Sequence, residues 1–289
     1  MIDAHHHLWD LSKVHYPWLE AKGVVRFFGD PTPIQRNYLL KEFRENANVE
    51  GFQASVHIQV GAADPIAEAI WIDSIAQANP DWPLVQVVHC DLTSPTLDKD
   101  LDLIQTIPSV RGVRQIVGRS SEEDTKSGTN DLLSSSAFRD GLIELGNRNL
   151  SFDLQLTPEL IEQAANVLNA APGTKTALCH AGSPGDRSEQ GLAKWSKNLR
   201  ILSNIGNVFC KLSGLGMFDH GWTQDSIAPI INECIDQFGS SRCMFGSNFP
   251  VDSLYSDYQS LIQAYRSIVS KEDSEMVFYK TAKNFYNIK

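Results

Sequence analysis

Along the 289 residues, short runs rich in β-branched residues alternate with longer segments whose apolar positions recur at helical spacing. The strand-like runs are Met1 to His5, Gln53 to Val60, Leu84 to Cys90, Val110 to Ile116, Ser151 to Leu156, Lys175 to His180, Asn207 to Leu212 and Arg242 to Asn248. Several are apolar almost throughout, as strands covered on both faces should be. Between them lie predicted helices over Asp64–Asn79, Leu97–Thr106, Ala137–Asn147, Pro158–Ala170, Gln190–Ser203, Thr223–Phe238 and Ser253–Val269, with a closing helix over Lys271–Asn284. Thr157-Pro158 and Asp252-Ser253 are good helix starts. Eight βα repeats predict a (β/α)8 barrel, a TIM barrel of α/β class, and residues 1–289 form one expected domain because no Gly/Ser-rich linker interrupts them. The segment 9–50 is too long for a simple βα connection. It carries an aromatic, Pro-containing stretch (YPWL, RFFGDPTP) and one predicted helix, Leu39–Asn46, and is expected to be a covering loop.

The hydrophobic content of 42% is enough for a large core, and no apolar run reaches the roughly 20 residues of a membrane span. The first residues, MIDAHHHLWD, lack a basic segment followed by an apolar one, so a cytoplasmic location is expected. Acids exceed bases by ten and are scattered, which argues against nucleic acid and anionic membrane as partners and leaves a small molecule. Homo-oligomer formation is left open. The cysteines show no CxxC pairing, and Cys179, Cys210 and Cys243 lie in apolar runs where a buried thiol is expected.

A barrel places its chemistry at the carboxyl ends of its strands and in the loops that follow. Unusual polar residues fall there: His5, His6 and His7 at the end of strand one, His57 and Gln59 on strand two, Arg114 and Arg119 at strand four, His180 at the end of strand six, Lys211 on strand seven, and Asn248 at the end of strand eight with Asp252 close behind. Alternation along an extended segment puts His5 and His7 on one side, about 7 Å apart along the chain, close enough to share one metal ion, with His6 turned away. Asp153, Gln155 and His57 are expected either to satisfy one another inside the barrel or to touch substrate. Trp18, with Trp9 and Tyr16, could give an aromatic wall.

The motifs DAHHHLWD, YPWL, VHIQVGA, RGVRQIVG, LSFDLQL, LCHAGSP, NVFCKLSGLG and RCMFGSNFPVD, in this order over nearly the whole chain, resemble the amidohydrolase-related (amidohydrolase 2) family. Within it they are similar to the lactonase group that contains 2-pyrone-4,6-dicarboxylate lactonase and the L-fucono- and L-rhamnono-lactonases. The resemblance implies an amidohydrolase-type barrel and a hydrolase of carboxylic ester bonds, one that opens a sugar-acid lactone or an aromatic-derived carboxylated lactone by water attack on the ring carbonyl. It implies His5, His7 and His180 as ligands of one divalent ion, most naturally zinc, in a family that also has metal-free members. No lysine suited to bridging two ions ends strand four. Where the family usually has GSDWP, this chain has GSNFP. Asn248, a neutral amide, cannot be a general base, so Asp252 or His180 is expected to take that role, with Asn248 orienting water. Arg114, Arg119, Lys211, Gln59, His57 and Trp18 are the expected substrate contacts, arginine suiting a carboxylate or oxyanion. Without a metal, His5, His7 and the arginines would polarise the carbonyl instead. A barrel that binds an acid without turning it over and a metal-dependent decarboxylase are the alternative functions.

Overall fold

The computed structural model describes residues 1–119 and 129–289. Eight parallel strands follow one another in a single sheet in chain order: β1 (Ile2–His6), β2 (Ala54–Ile58), β3 (Leu84–Val88), β4 (Val110–Val113), β5 (Ser151–Leu154), β6 (Thr176–Leu178), β7 (Val208–Leu212) and β8 (Cys243–Phe245). The ring is drawn shut just past β8, where Asn248 N–H donates to the His5 carbonyl and His7 N–H to the Phe249 carbonyl, each at 2.7 Å. The expected TIM barrel is therefore the observed architecture. Strands are shorter than their apolar runs, and the excess lies mostly at their carboxyl ends. There the chain stays buried after the ladder stops, because it is folding into the floor of a cavity.

Alternate positions serve two cores. Ile2, Ala4, Val56, Val85, Ala177 and Met244 pack together in the barrel interior, closed below by Phe285, Tyr286 and Ile288 from the C-terminus. The intervening positions, such as Val88, Val113, Phe152 and Leu178, join the sheet-to-helix core.

The helices between the strands are α1 (Leu40–Val49), α2 (Pro65–Ala78), α3 (Leu97–Gln105), α4 (Ser136–Asn147), α5 (Ile161–Asn169), α6 (Glu189–Ser203), α7 (Gln224–Phe238) and α8 (Tyr258–Ile268). Their starts are chemically marked. Asp64 caps Ile66 and Ala67, Ser188 caps Gly191, and Thr223 with Ser226 forms a capping box. Two expected starts are displaced. Pro158–Leu160 is a 3-10 turn before α5, and Asp252 lies in a 3-10 turn (Val251–Leu254) while Asp257 caps α8. Asp252 is thereby free to turn inward. No helix among the described residues is long and apolar enough to cross a membrane. All five cysteines are buried and unpaired.

Residues 9–50 cross the barrel mouth through a helical turn at Pro17–Glu20, a 3-10 turn at Thr32–Ile34 and then α1. Trp9 and Tyr38 pair across this segment, and Trp9 and Tyr16 are fully buried beneath it.

Candidate active site

The floor is built from the end of β1. Asp3 accepts from the backbone N–H of His5 (3.1 Å) and of Ser247 (3.0 Å) and from the Tyr258 hydroxyl (3.1 Å), and the β1–β2 register shifts between Asp3 and His6. The His5 ring then meets His7 edge-on with centroids 5.2 Å apart and lies 4.6 Å from His180. His6 points the other way and stacks on Phe43 at 3.9 Å. Alternation thus separates His5 and His7 from His6 as expected.

His180 is held by strained backbone. His180, Ala181 and Ser183 all have positive φ, at 54°, 52° and 58°, each costing about 1–3 kcal/mol that the surroundings must offset. Trp195 donates its indole N–H to the Ala181 carbonyl (2.8 Å), and His180 Nδ1 lies 3.1 Å from Ser213 Oγ. Gly214, itself at φ +64°, leaves the room: a β-carbon there would come within 2.4 Å of His180 Nδ1.

His7 donates Nδ1–H to the Ile58 carbonyl (2.8 Å), since a carbonyl can only accept, and so turns the lone pair of Nε2 toward the site. That lone pair meets Asn248 Oδ1 at 3.3 Å while Asn248 Nδ2 donates to Asp252 Oδ1 at 2.9 Å. Either the Asn248 amide turns over to donate from Nδ2, or a proton or a cation lies between the two acceptors. Burial, with Arg114 nearby, holds the His7 imidazolium well below its ordinary range, which disfavours the proton. His5 and His180 are likewise held neutral, first by burial; for His180 the value falls to about 3. His5 Nε2 is buried with no partner. Neutral imidazoles with open lone pairs fit a divalent ion held by His5, His7 and His180. Among the described residues, the one set of three metal-ligating side chains whose ligating atoms all come within 4.8 Å of one another is His5, Asp153 and Cys179, so the three histidines would have to draw together to share an ion. Lys211 already engages the Asp153 carboxylate.

Asp252 is 1% exposed, and its Oδ2 is buried without a partner. Burial raises its carboxyl to about 7, with the Asn248 hydrogen bond opposing. It stands behind Asn248 rather than in the cavity wall.

Above this floor is a cavity of about 370 Å³. Of the expected residues it brings together His7, His180, Asn248, Arg114, Arg119 and Trp18. Arg114 is buried at the floor, donating to Gln155 Oε1 (3.2 Å) and to the Gln59 carbonyl, with Nε unpartnered. No described carboxylate pairs with it, and burial lowers its proton affinity. Trp18 is fixed by its indole N–H on the Val60 carbonyl at 2.6 Å.

Three expected contacts lie elsewhere. Lys211, fully buried, sits one layer below, paired with Asp153 at 2.5 Å and 3.5 Å from His5 Nδ1, and Tyr286 donates to Asp153 at 2.8 Å. His57 faces outward, accepting from Leu8 N–H (3.1 Å) with Nε2 3.5 Å from Glu68. Gln59 offers its carbonyl to Arg114 while its side chain binds Gly61 N–H. Asp153, Gln155 and His57 therefore do not satisfy one another. Each has a different partner. The sequence reading missed Arg26, Phe27 and Phe28 from the covering segment and Met217 and Val251 from later loops, all of which line the cavity. Only the RFFG cluster carried a signal, as an aromatic run in the expected lid.

The family model described as Amidohydrolase matches residues 2–288. An uncharacterized protein, y4mH, of Sinorhizobium fredii is 33% identical, with 100% of this chain and 98% of that protein aligned. An L-fucono-1,5-lactonase of Burkholderia multivorans is 24% identical over 99% of this chain and 95% of its own length. An amidohydrolase of Burkholderia multivorans solved with bound zinc superposes with a TM-score of 0.81 at 22% identity, covering 100% of this chain and 99% of that one. The match over nearly its whole length, on a barrel with its histidines and arginines gathered at the strand ends, shows that the chain belongs to the amidohydrolase family of hydrolases.

Proposed function

We propose that the chain hydrolyses a lactone, the class of reaction named for its fucono-lactonase relative, and that the substrate is anionic. The observation that carries this reading is Arg114, a buried cation on the cavity floor beside three neutral imidazoles and in no ion pair with a described carboxylate. A ring-opening reaction develops negative charge on the carbonyl oxygen and ends in a carboxylate, and preset donors in a water-poor site stabilise both. The other acid-binding role, without turnover, would not call for a proton acceptor near neutrality. Asp252 supplies one.

The chain's own groups divide the work. Arg114 holds the carbonyl oxygen. Asn248, fixed between His7 and Asp252, orients the attacking water. Asp252, raised to about 7, is the proton acceptor through its unpartnered Oδ2, reached by a water that passes beside Asn248, while the Asn248 amide itself carries no proton. His5, His7 and His180 would hold one divalent ion, a reading supported by the zinc bound in the similar solved structure, and it would supply Lewis-acid polarisation and a more acidic water. Arg119 and Trp18 complete the walls.

A panel of aldono- and carboxylated lactones with pH-indicator detection of acid release tests the reading. Acid release from at least one is expected. Release of carbon dioxide without ring opening would point to the decarboxylase alternative, and saturable binding without product to the non-catalytic one. Metal analysis of untagged protein, with activity before and after a chelator, tests the ion. Full activity in metal-free protein would remove it.

A further inference from the structure

The cavity wall contains a cation that the proposed reaction does not use. Arg26 lies in a tight turn, Arg26–Gly29, closed by Arg26 N–H on the Gly29 carbonyl (2.8 Å) and Gly29 N–H on the Arg26 carbonyl (2.9 Å). The turn is pinned from the far side of the mouth by the Tyr255 hydroxyl, which donates to the Phe28 carbonyl at 2.6 Å. Gly29 has φ +108°, and a β-carbon there would fall 2.0 Å from the Tyr255 oxygen. Tyr255 is itself stacked on His220 at 4.1 Å. The turn is therefore placed by long-range contacts and not merely by its own sequence.

The Arg26 guanidinium carbon lies 5.9 Å from the Trp18 ring centroid, a cation–π position, and its Nε is buried without a partner. No ion pair joins it to any described residue, in a chain that carries 35 acidic residues against 25 basic ones. A half-buried arginine left unpaired amid an excess of acids, stacked and aimed into a cavity, is a receptor for a charge that a ligand brings. The rest of the wall agrees. Trp18, Phe27, Phe28, Ile116, Met217 and Val251 are apolar, and none of the described residues lining the cavity is Asp or Glu. A polyhydroxylated ring needs acceptors for its hydroxyl protons, and this wall offers chiefly donors and apolar surface.

We propose that Arg26 is a specificity-determining residue: it takes a carboxylate that the substrate carries away from its scissile carbonyl, so that the preferred lactone is an apolar ring with an acidic arm. This deepens the proposed function and rests on the lactone reading. The Trp18 ring at 5.9 Å and the pinned turn restrict where the guanidinium can lie before binding, so less side-chain freedom is lost when the carboxylate arrives.

The test uses matched probes, muconolactone with its carboxymethyl arm and the methyl ester of that arm, on the full-length protein and on R26Q and R26K. Wild type is expected to prefer the acid, and R26Q to lower the acid-to-ester ratio of kcat/KM by about 10- to 100-fold, mainly through KM, as loss of a desolvated charged hydrogen bond should. R26K should restore part of that ratio. Equal treatment of acid and ester by wild type, or an unchanged ratio in R26Q, would overturn the role of Arg26 and leave the lactone reading standing. Should neither probe be opened, calorimetric binding of the same two compounds decides the matter separately. Tighter binding of the acid that R26Q abolishes supports Arg26 while the lactone reading fails, and no difference overturns both.

Discussion

Two adjacent layers of the same barrel handle buried charge in opposite ways. In the lower layer Lys211 and Asp153, both fully buried, meet at 2.5 Å, and Tyr286 from the C-terminus donates a further bond to the carboxylate. Every charge there has its counter-charge. In the floor above, no described carboxylate forms an ion pair with Arg114, His5 Nε2 and Asp252 Oδ2 have no partner among the described residues, and His7 Nε2 faces the Asn248 amide. Buried polar groups are normally satisfied, so an open set gathered under one cavity marks where a ligand completes the structure. The difference teaches that the lower layer is built for stability and the floor for chemistry, although both are made of charged residues on barrel strands.

The largest effect should come from breaking the lower layer. Lys211→Met leaves the Asp153 carboxylate buried and alone, and is expected to destabilise the fold by about 3–5 kcal/mol in denaturant titrations. The double variant K211M/D153L, which removes both charges, should recover most of that loss. A harmless single variant would mean that the pair is not the closed unit described.

Arg114→Gln strikes the floor and should do the reverse. Turnover is expected to fall about 10²- to 10³-fold, as for loss of an oxyanion donor, while the thermal midpoint holds steady or rises because a buried unpaired cation has gone. A large fall in stability with intact kcat would reverse the assignment of the two layers.

Asp252→Asn sharpens the contrast through pH. A carboxyl raised to about 7 in the folded chain holds its proton where the unfolded chain, at its ordinary lower value, has lost it. The folded state then binds more protons between about pH 4 and pH 7, so its stability falls as pH rises through that window. The variant lacks this dependence and should be more stable than wild type at pH 8, by on the order of 4 kcal/mol. Wild-type kcat/KM should climb through about pH 7, where D252N gives a flat, much lower profile. Unaltered turnover in D252N would remove Asp252 as proton acceptor.

The fold was legible because eight apolar strands and seven intervening periodic helices repeat in one order, the pattern of a parallel sheet, and eight such units are the number that closes a barrel. His5, His7 and His180 were legible for the same reason: alternation and strand-end position name the face a side chain takes. Depth was not legible. Lys211 points inward as a strand residue should, but the pleat does not say that it stops one layer short of the cavity, under His5. His57 faces the helices because Glu68 of α2 waits there, a contact between elements that no local pattern encodes. Arg26 was missed because its aim depends on Tyr255, more than two hundred residues away. Asp252 was named correctly as a polar residue near the site, yet read as a helix start. Asn248, in left-handed backbone at φ 58°, turns the chain so that Asp252 comes in behind it.

In the proposed reaction this floor directs water to the carbonyl of an anionic lactone. The most direct test is single-turnover reaction of a carboxylated lactone in heavy-oxygen water, with the product analysed by mass spectrometry. The proposed reaction predicts one heavy oxygen in the newly formed carboxylate, no carbon dioxide, and loss of the labelled product in R114Q. An unlabelled product, or carbon dioxide with the ring intact, would contradict it.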